Sequence, residues 1–142
     1  MFLLLTNVVA TLVMLGVILV VQLVHYPLFR YADRASYEEF QAQHMRRITW
    51  IVAPLMTIEL VTAMGLVWRP PPLVSAWQVW MGLALVVLIW ILTALVQVPI
   101  HRRLTDGFNP AAHRRLVRTN ALRTLLWALR AGLVLWMLVP VQ

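Results

Sequence analysis

Four long apolar runs, at residues 3–26, 48–68, 77–100 and 116–139, take up most of this 142-residue chain. A bilayer core about 30 Å thick is crossed by about 20 helical residues at about 1.5 Å rise each, so each run is long enough for one crossing. Hydrocarbon offers the backbone no hydrogen-bond partner, so each run is expected to be a helix. The expected fold is all-α: a single integral membrane domain over residues 1–142, built as a four-helix transmembrane bundle. Composition agrees, since 62% of the residues are hydrophobic and only 12% are charged, against roughly a half and a quarter in soluble chains. A water-soluble enzyme and a nucleic-acid-binding module are excluded on this ground, despite a net charge of +7. The absence of cysteine excludes disulfides, thiolate metal sites and iron–sulfur clusters. The first run lacks a basic leader and a small-x-small cleavage site, so it is expected to be a retained helix rather than a signal peptide.

All twelve basic residues are arginines, and they orient the bundle. Arg30, Arg34, Arg46 and Arg47 lie between the first two runs, and Arg102, Arg103, Arg114, Arg115 and Arg118 between the last two. The opposite side carries only Arg69, in the turn Arg69-Pro70-Pro71-Pro72. The positive-inside rule places both long loops in the cytoplasm and both termini outside, in a multi-pass protein of the bacterial inner membrane. Trp68, Trp77, Trp80 and Trp136 fall near the outer ends of their runs, as an aromatic belt requires. Within the loops, Ser36-Tyr37-Glu38-Glu39 has capping-box spacing, which predicts a helix start near Tyr37. Tyr37, Phe40, His44 and Ile48 then share one stripe. Asp106-Gly107 marks a turn, and Asn109-Pro110 reads as an N-cap followed by proline at the first helical position.

The polar residues of the runs carry the functional reading. His25, His44, His101 and His113 all fall on the cytoplasmic side, one per helix. Imidazole is a common ligand of Fe, Cu and Zn near neutral pH, so a transition-metal centre is one expectation. A haem held by two of the histidines is a variant, necessarily non-covalent because no CxxCH is present. His113 falls in the first turn of its helix, where the dipole favours the neutral ring. Gln22 and Gln97 lie three and four residues from His25 and His101, on the same faces, where they are expected to orient rings of a cofactor site. Interfacial histidines that merely bond loop carbonyls are the alternative.

The two halves also look alike. Val21-Gln22-Leu23-Val24-His25-Tyr26-Pro27 resembles Val96-Gln97-Val98-Pro99-Ile100-His101, and His44-Met45-Arg46-Arg47-Ile48 resembles His113-Arg114-Arg115-Leu116. A tandem repeat of two helical hairpins, related about the membrane normal, would gather the four histidines around a common axis. Their spacing differs, 19 residues in one half and 12 in the other.

Deeper in the bundle, Glu59 lies 12 residues past Arg47, and Arg130 lies 12 residues past Arg118. The second and fourth helices run parallel, so both side chains reach about 18 Å below the cytoplasmic surface. An ion pair is expected, because an isolated charge at mid-membrane costs at least about 2.5–3.5 kcal/mol. It serves either as a structural pair or as a proton relay or anion-binding centre. His113, Asn120, Arg123, Trp127 and Arg130 share one face of the last helix, which must therefore point inward. Arg123 suits an anionic substrate, a developing oxyanion or a cofactor carboxylate; pairing with Asp33, Glu38 or Glu39 is the alternative. Pro54 and Pro99 free the carbonyls of Trp50 and Leu95, which favours a pocket beneath the histidines.

The stretches His25-Tyr26-Pro27, His44-Met45-Arg46-Arg47-Ile48-Thr49-Trp50 and Asn120-Ala121-Leu122-Arg123-Thr124-Leu125-Leu126-Trp127-Ala128-Leu129-Arg130 resemble those of a group of small, uncharacterised four-span bacterial membrane proteins. That group is similar, more distantly, to the anthrone oxygenase-like membrane family. The resemblance covers most of the chain and implies a four-helix bundle with oxygen chemistry on a hydrophobic substrate. The distant family's motifs are loose, an Asn and an Arg on the last helix with few fixed ligands.

Three functions fit these features. In the first, a membrane-embedded oxidoreductase or oxygenase-like protein uses His25, His44, His101 and His113 as ligands or acid–base groups. Asn120 and Arg123 then orient an anionic or quinone-like group above a Glu59–Arg130 floor. In the second, the chain is a non-catalytic accessory subunit of a larger membrane complex or a homo-oligomer. A small transporter is the third.

Overall fold

The structure is a computed structural model that describes residues 1–72 and 74–139. The chain is helical, with four long helices: α1 (Phe2–Tyr31), α2 (Tyr37–Trp68), α3 (Ala76–Thr105) and α4 (Pro110–Trp136). Each packs against two others, α1 on α2 and α4, and α3 on α2 and α4, which closes an antiparallel ring. Three of them, α1, α2 and α3, are long and apolar enough to cross a membrane. The fourth, expected to cross as well, is not apolar enough by composition. Asn120, Arg123 and Arg130 lower it, and all three are buried in the bundle. The outward faces are apolar on every helix, with Leu5 and Val9 on α1, Ile51 and Ile58 on α2, Leu88 and Ile91 on α3, and Leu125 and Leu129 on α4 exposed.

Two apolar clusters fill the interior. One, around Met14, Ile18, Phe29, Ile89, Leu116 and Trp127, occupies the half that holds the long loops. The other, around Leu4, Leu66, Val79 and Val134, packs the half with the chain ends. A polar layer separates them. Arg130 donates from Nε to Glu59 Oε1 (3.2 Å), from Nη2 to Asn7 Oδ1 (3.1 Å) and from Nη1 to the carbonyl of Gly82. Trp127 Nε1 donates to the other carboxylate oxygen of Glu59 at 3.0 Å. Asn7 Nδ2 donates to the Glu59 carbonyl (3.1 Å) and to Thr62 Oγ1 (2.6 Å). One polar group from each helix therefore meets at one level, with Glu59 and Arg130 fully buried. The ion pair expected from equal depth is formed, and its oxygens and donors are used. Satisfied partners of this kind offset the cost of burying charge.

Two helices change pitch at matched places. In α1 residues Val21–His25, and in α3 residues Thr93–Gln97, form a π-helical turn, each ending two residues before a proline, Pro27 or Pro99. Proline has no N–H and its ring crowds the carbonyl four residues back, at Leu23 and Leu95, so the helix widens there. Pro54, by contrast, leaves α2 an unbroken α-helix. Aligned on these prolines, the halves are offset by 72 residues, since Pro99 follows Pro27 by that number. His25 then stands opposite Gln97 rather than His101, so the matched sequence stretches lie about one turn out of the backbone register.

The loops are held by local chemistry. Helix α2 begins at Tyr37 as expected, but Ser36 forms no capping box. Its N–H and hydroxyl both bond Asp33 Oδ2 at 3.1 Å. Asn109 does cap α4, accepting from the Ala112 N–H at 2.9 Å, with Pro110 following. Gly107 takes φ +118°, a left-handed conformation that suits glycine in the turn before Asn109. The Arg34 guanidinium lies 3.7 Å from the Phe108 ring centroid, joining the two long loops by a cation–π contact.

Candidate functional site

The π turn in α1 and the following helical turn bring His25, Tyr26 and Phe29 onto the loop end of the bundle. Phe29 is fully buried, with His25, His44 and His113 around it at ring-centroid distances of 5.3, 5.0 and 6.4 Å. The histidines do cluster at one end, one from each helix, but the expected common axis is filled by Phe29 and Tyr26. His25 Nε2 and His44 Nδ1 are 2.9 Å apart and share one proton. At most one of these two rings is therefore an imidazolium. The other nitrogen of His44, Nε2, is buried without a partner. His113 departs from the cluster: its Nε2 meets the backbone carbonyl of Tyr26 at 2.8 Å.

His101 is held from both sides. Gln41 Nε2 lies 2.9 Å from His101 Nδ1, and Tyr26 Oη lies 2.8 Å from His101 Nε2. With the Gln41 amide nitrogen as donor, the neutral ring carries its proton on Nε2 and gives it to Tyr26 Oη. Gln22 and Gln97, expected to orient the histidines, bond elsewhere. Gln22 Oε1 accepts from Asn120 Nδ2 at 2.8 Å, and Gln97 Nε2 donates to Thr119 Oγ1 at 2.9 Å. Both tie their helices to α4, and the ring-orienting work falls to Tyr26 and Gln41. Gln41 was reachable from the sequence, because it lies on the Tyr37–His44 stripe. Asn7, which completes the polar layer, has no such signal: it is a lone Asn in an apolar helix.

Beneath the histidines lies a cavity of about 220 Å³. Its walls are apolar, from Ile18 and Val21 of α1, Val52 and Met56 of α2, and Trp90 of α3. The polar exceptions include Tyr26, Gln97, His101 and Arg123. Thr49 and Ala53 line it too and are exposed on the outer side of α2, which marks the opening. The pocket expected beneath the histidines is thus present. Arg123 does not pair with Asp33, Glu38 or Glu39; among the described residues the one ion pair is Arg130–Glu59. Arg123 Nη1 donates to Asn120 Oδ1 at 3.2 Å, and its guanidinium carbon lies 5.2 Å from the Trp127 ring centroid.

No protein-family model matches this chain, and neither a curated protein nor a solved structure was found similar to it. The likeness to the anthrone oxygenase-like family thus stands on the quoted stretches alone. Among the described residues, no three His, Asp or Glu side chains converge as a metal site would need. The chemistry on offer is that of a small apolar cavity whose polar end presents a tyrosine–histidine pair, an amide and a guanidinium.

Proposed function

We propose that the chain is a four-span protein of the bacterial inner membrane, with both long loops cytoplasmic, that performs oxidoreductase chemistry of the oxygenase type on a hydrophobic substrate. Its α4 crosses as the fourth span, because its polar residues face the bundle and Leu122, Leu125 and Leu129 face lipid. The observation that carries the substrate site is the Tyr26 Oη–His101 Nε2 contact of 2.8 Å at the wall of an otherwise apolar cavity. A substrate entering between helices from the bilayer meets that pair as acid and base. Arg123 lies within the same polar end, backed by Asn120, and there stabilises negative charge developing on a substrate oxygen. The Glu59–Arg130 layer, expected to floor the site, does not line the cavity. Dioxygen as co-substrate follows from the family resemblance.

The test is dioxygen uptake by the protein in lipid nanodiscs, with single-ring phenols and hydroquinones bearing apolar tails, each with and without a carboxylate on the ring. Saturable uptake, lost in His101→Ala and in Tyr26→Phe while helicity is retained, is the expected result. Uptake that is absent, or equal in all three proteins, overturns the proposal.

A second reading rests on the buried, unpartnered Nε2 of His44. His25 and His44 would then hold a transition metal (Fe, Cu or Zn) or a non-covalent haem, with His101 and His113 as further candidates. Such a group supplies Lewis-acid or electron-transfer chemistry when bound.

A further inference from the structure

The bundle buries two arginines, and only one has a counter-charge. Arg130 is matched by the Glu59 carboxylate, the Asn7 amide oxygen and the Gly82 carbonyl. Arg123 is 4% exposed, yet no carboxylate reaches it among the described residues. Its partners are neutral, Asn120 Oδ1 at 3.2 Å and the neighbouring Tyr26 hydroxyl, and its Nε is buried without a partner. Arg123 lines the cavity, and a guanidinium stays protonated in proteins, so a full positive charge lies at the cavity wall with an unpartnered Nε covered behind it. Arg130 shows how this fold compensates a buried charge from within the chain. The difference at Arg123 calls for an anion supplied from outside the chain.

We propose that the cavity binds a carboxylate-headed amphiphile, a monoanion whose carboxylate pairs with the Arg123 guanidinium and whose apolar body lies along Val52, Met56 and Trp90. This deepens the substrate-site reading above and rests on it. A carboxylate matches the parallel donors of a guanidinium edge, and one negative charge balances one positive charge. A neutral quinone or alcohol would leave Arg123 uncompensated, and a phosphate dianion would bring an excess charge into an apolar chamber. About 220 Å³ is room for about seven non-hydrogen groups at ~30 Å³ each, taking liquid water as the yardstick. The enclosed body is therefore one ring or a short chain, and a longer tail leaves through the opening beside Thr49 and Ala53.

The experiment is equilibrium binding to the full chain in phosphatidylcholine nanodiscs, read by tryptophan fluorescence and calorimetry. Octanoate is the probe, with octanol and octyl phosphate as controls. Octanoate is expected to saturate one site, with both controls at least about ten-fold weaker. Arg123→Gln is expected to weaken octanoate at least about ten-fold. Asn120→Asp places a carboxylate beside Arg123, so a folded variant with unchanged or raised thermal midpoint is expected to lose octanoate by the same factor. Octanol binding as tightly as octanoate overturns the proposal, as does octanoate affinity unchanged in both variants. Octyl phosphate binding more tightly than octanoate also overturns it, in favour of a phosphate ligand. Binding is measured without turnover, so octanoate binding in a protein that consumes no dioxygen leaves this proposal standing and removes only the oxidoreductase reading.

Discussion

Glu59 and Arg130 meet at 3.2 Å with neither side chain exposed, and the carboxylate's second oxygen is taken by Trp127. The pair is the centre of a layer that joins all four helices through Asn7 and Gly82. Removing one partner leaves an uncompensated buried charge, for which about 3–5 kcal/mol is the typical loss. Glu59→Gln and Arg130→Met are each expected to lower stability by that order, measured as the midpoint of SDS-induced unfolding in mixed micelles. The double variant Glu59→Gln with Arg130→Met is expected to lose less than the two singles added together. Additive losses would show that the two side chains act independently.

Pro99 sets the pitch of α3 just before His101, whose place beside Tyr26 depends on the wider π turn. Restoring the N–H with Pro99→Ala is expected to let α3 run as a regular α-helix. Removal of the extra residue of the π turn rotates His101 by about 100°, one residue's step around an α-helix. The expected outcome is a bundle of equal or greater stability whose dioxygen uptake is lost. Unchanged uptake would show that proline does not hold the Tyr26–His101 contact.

The chain has no cysteine, so single cysteines report topology without background. Ser36→Cys and Asp106→Cys, in the two arginine-rich loops, are expected to resist a membrane-impermeant maleimide in intact spheroplasts. Ser75→Cys, before α3, is expected to react. The opposite pattern would invert the bundle, and labelling of only one long loop would show that α2 or α3 does not cross.

If His25 and His44 hold a metal or haem, the purified protein carries near-stoichiometric metal or a Soret band, and the His25→Ala/His44→Ala double variant lacks it. Elemental analysis with a visible spectrum checks this. A colourless, metal-free and folded wild type leaves the two rings as a hydrogen-bonded pair.

Much of the bundle is legible in the sequence because its determinants are one-dimensional. Run length against bilayer thickness yields the helices, the starts of α2 and α4 follow from local residues, and equal depth along parallel helices pairs Glu59 with Arg130. The stripe on α4 likewise indicates that Asn120, Arg123 and Arg130 face inward, since lipid would not accept them. Other features depend on partners far apart in the chain. Asn7 reaches Arg130 across 123 residues, and Gln41 reaches His101 across 60. The partners of Gln22 and Gln97 also come from α4, not from the nearby histidines.

Hydrophobicity, charge asymmetry and helical periodicity are properties of the chain alone, and they determined the helices and which faces turn inward. Side-chain partnership is a property of approach between faces. Only the tertiary structure decided that Phe29 fills the space among the histidines, and that one buried arginine is paired while the other lines a cavity. The physical reason is range: periodicity acts over a few residues along one helix, whereas a hydrogen bond or an ion pair depends on angstrom-scale contact between helices whose rotation and pitch are settled by packing.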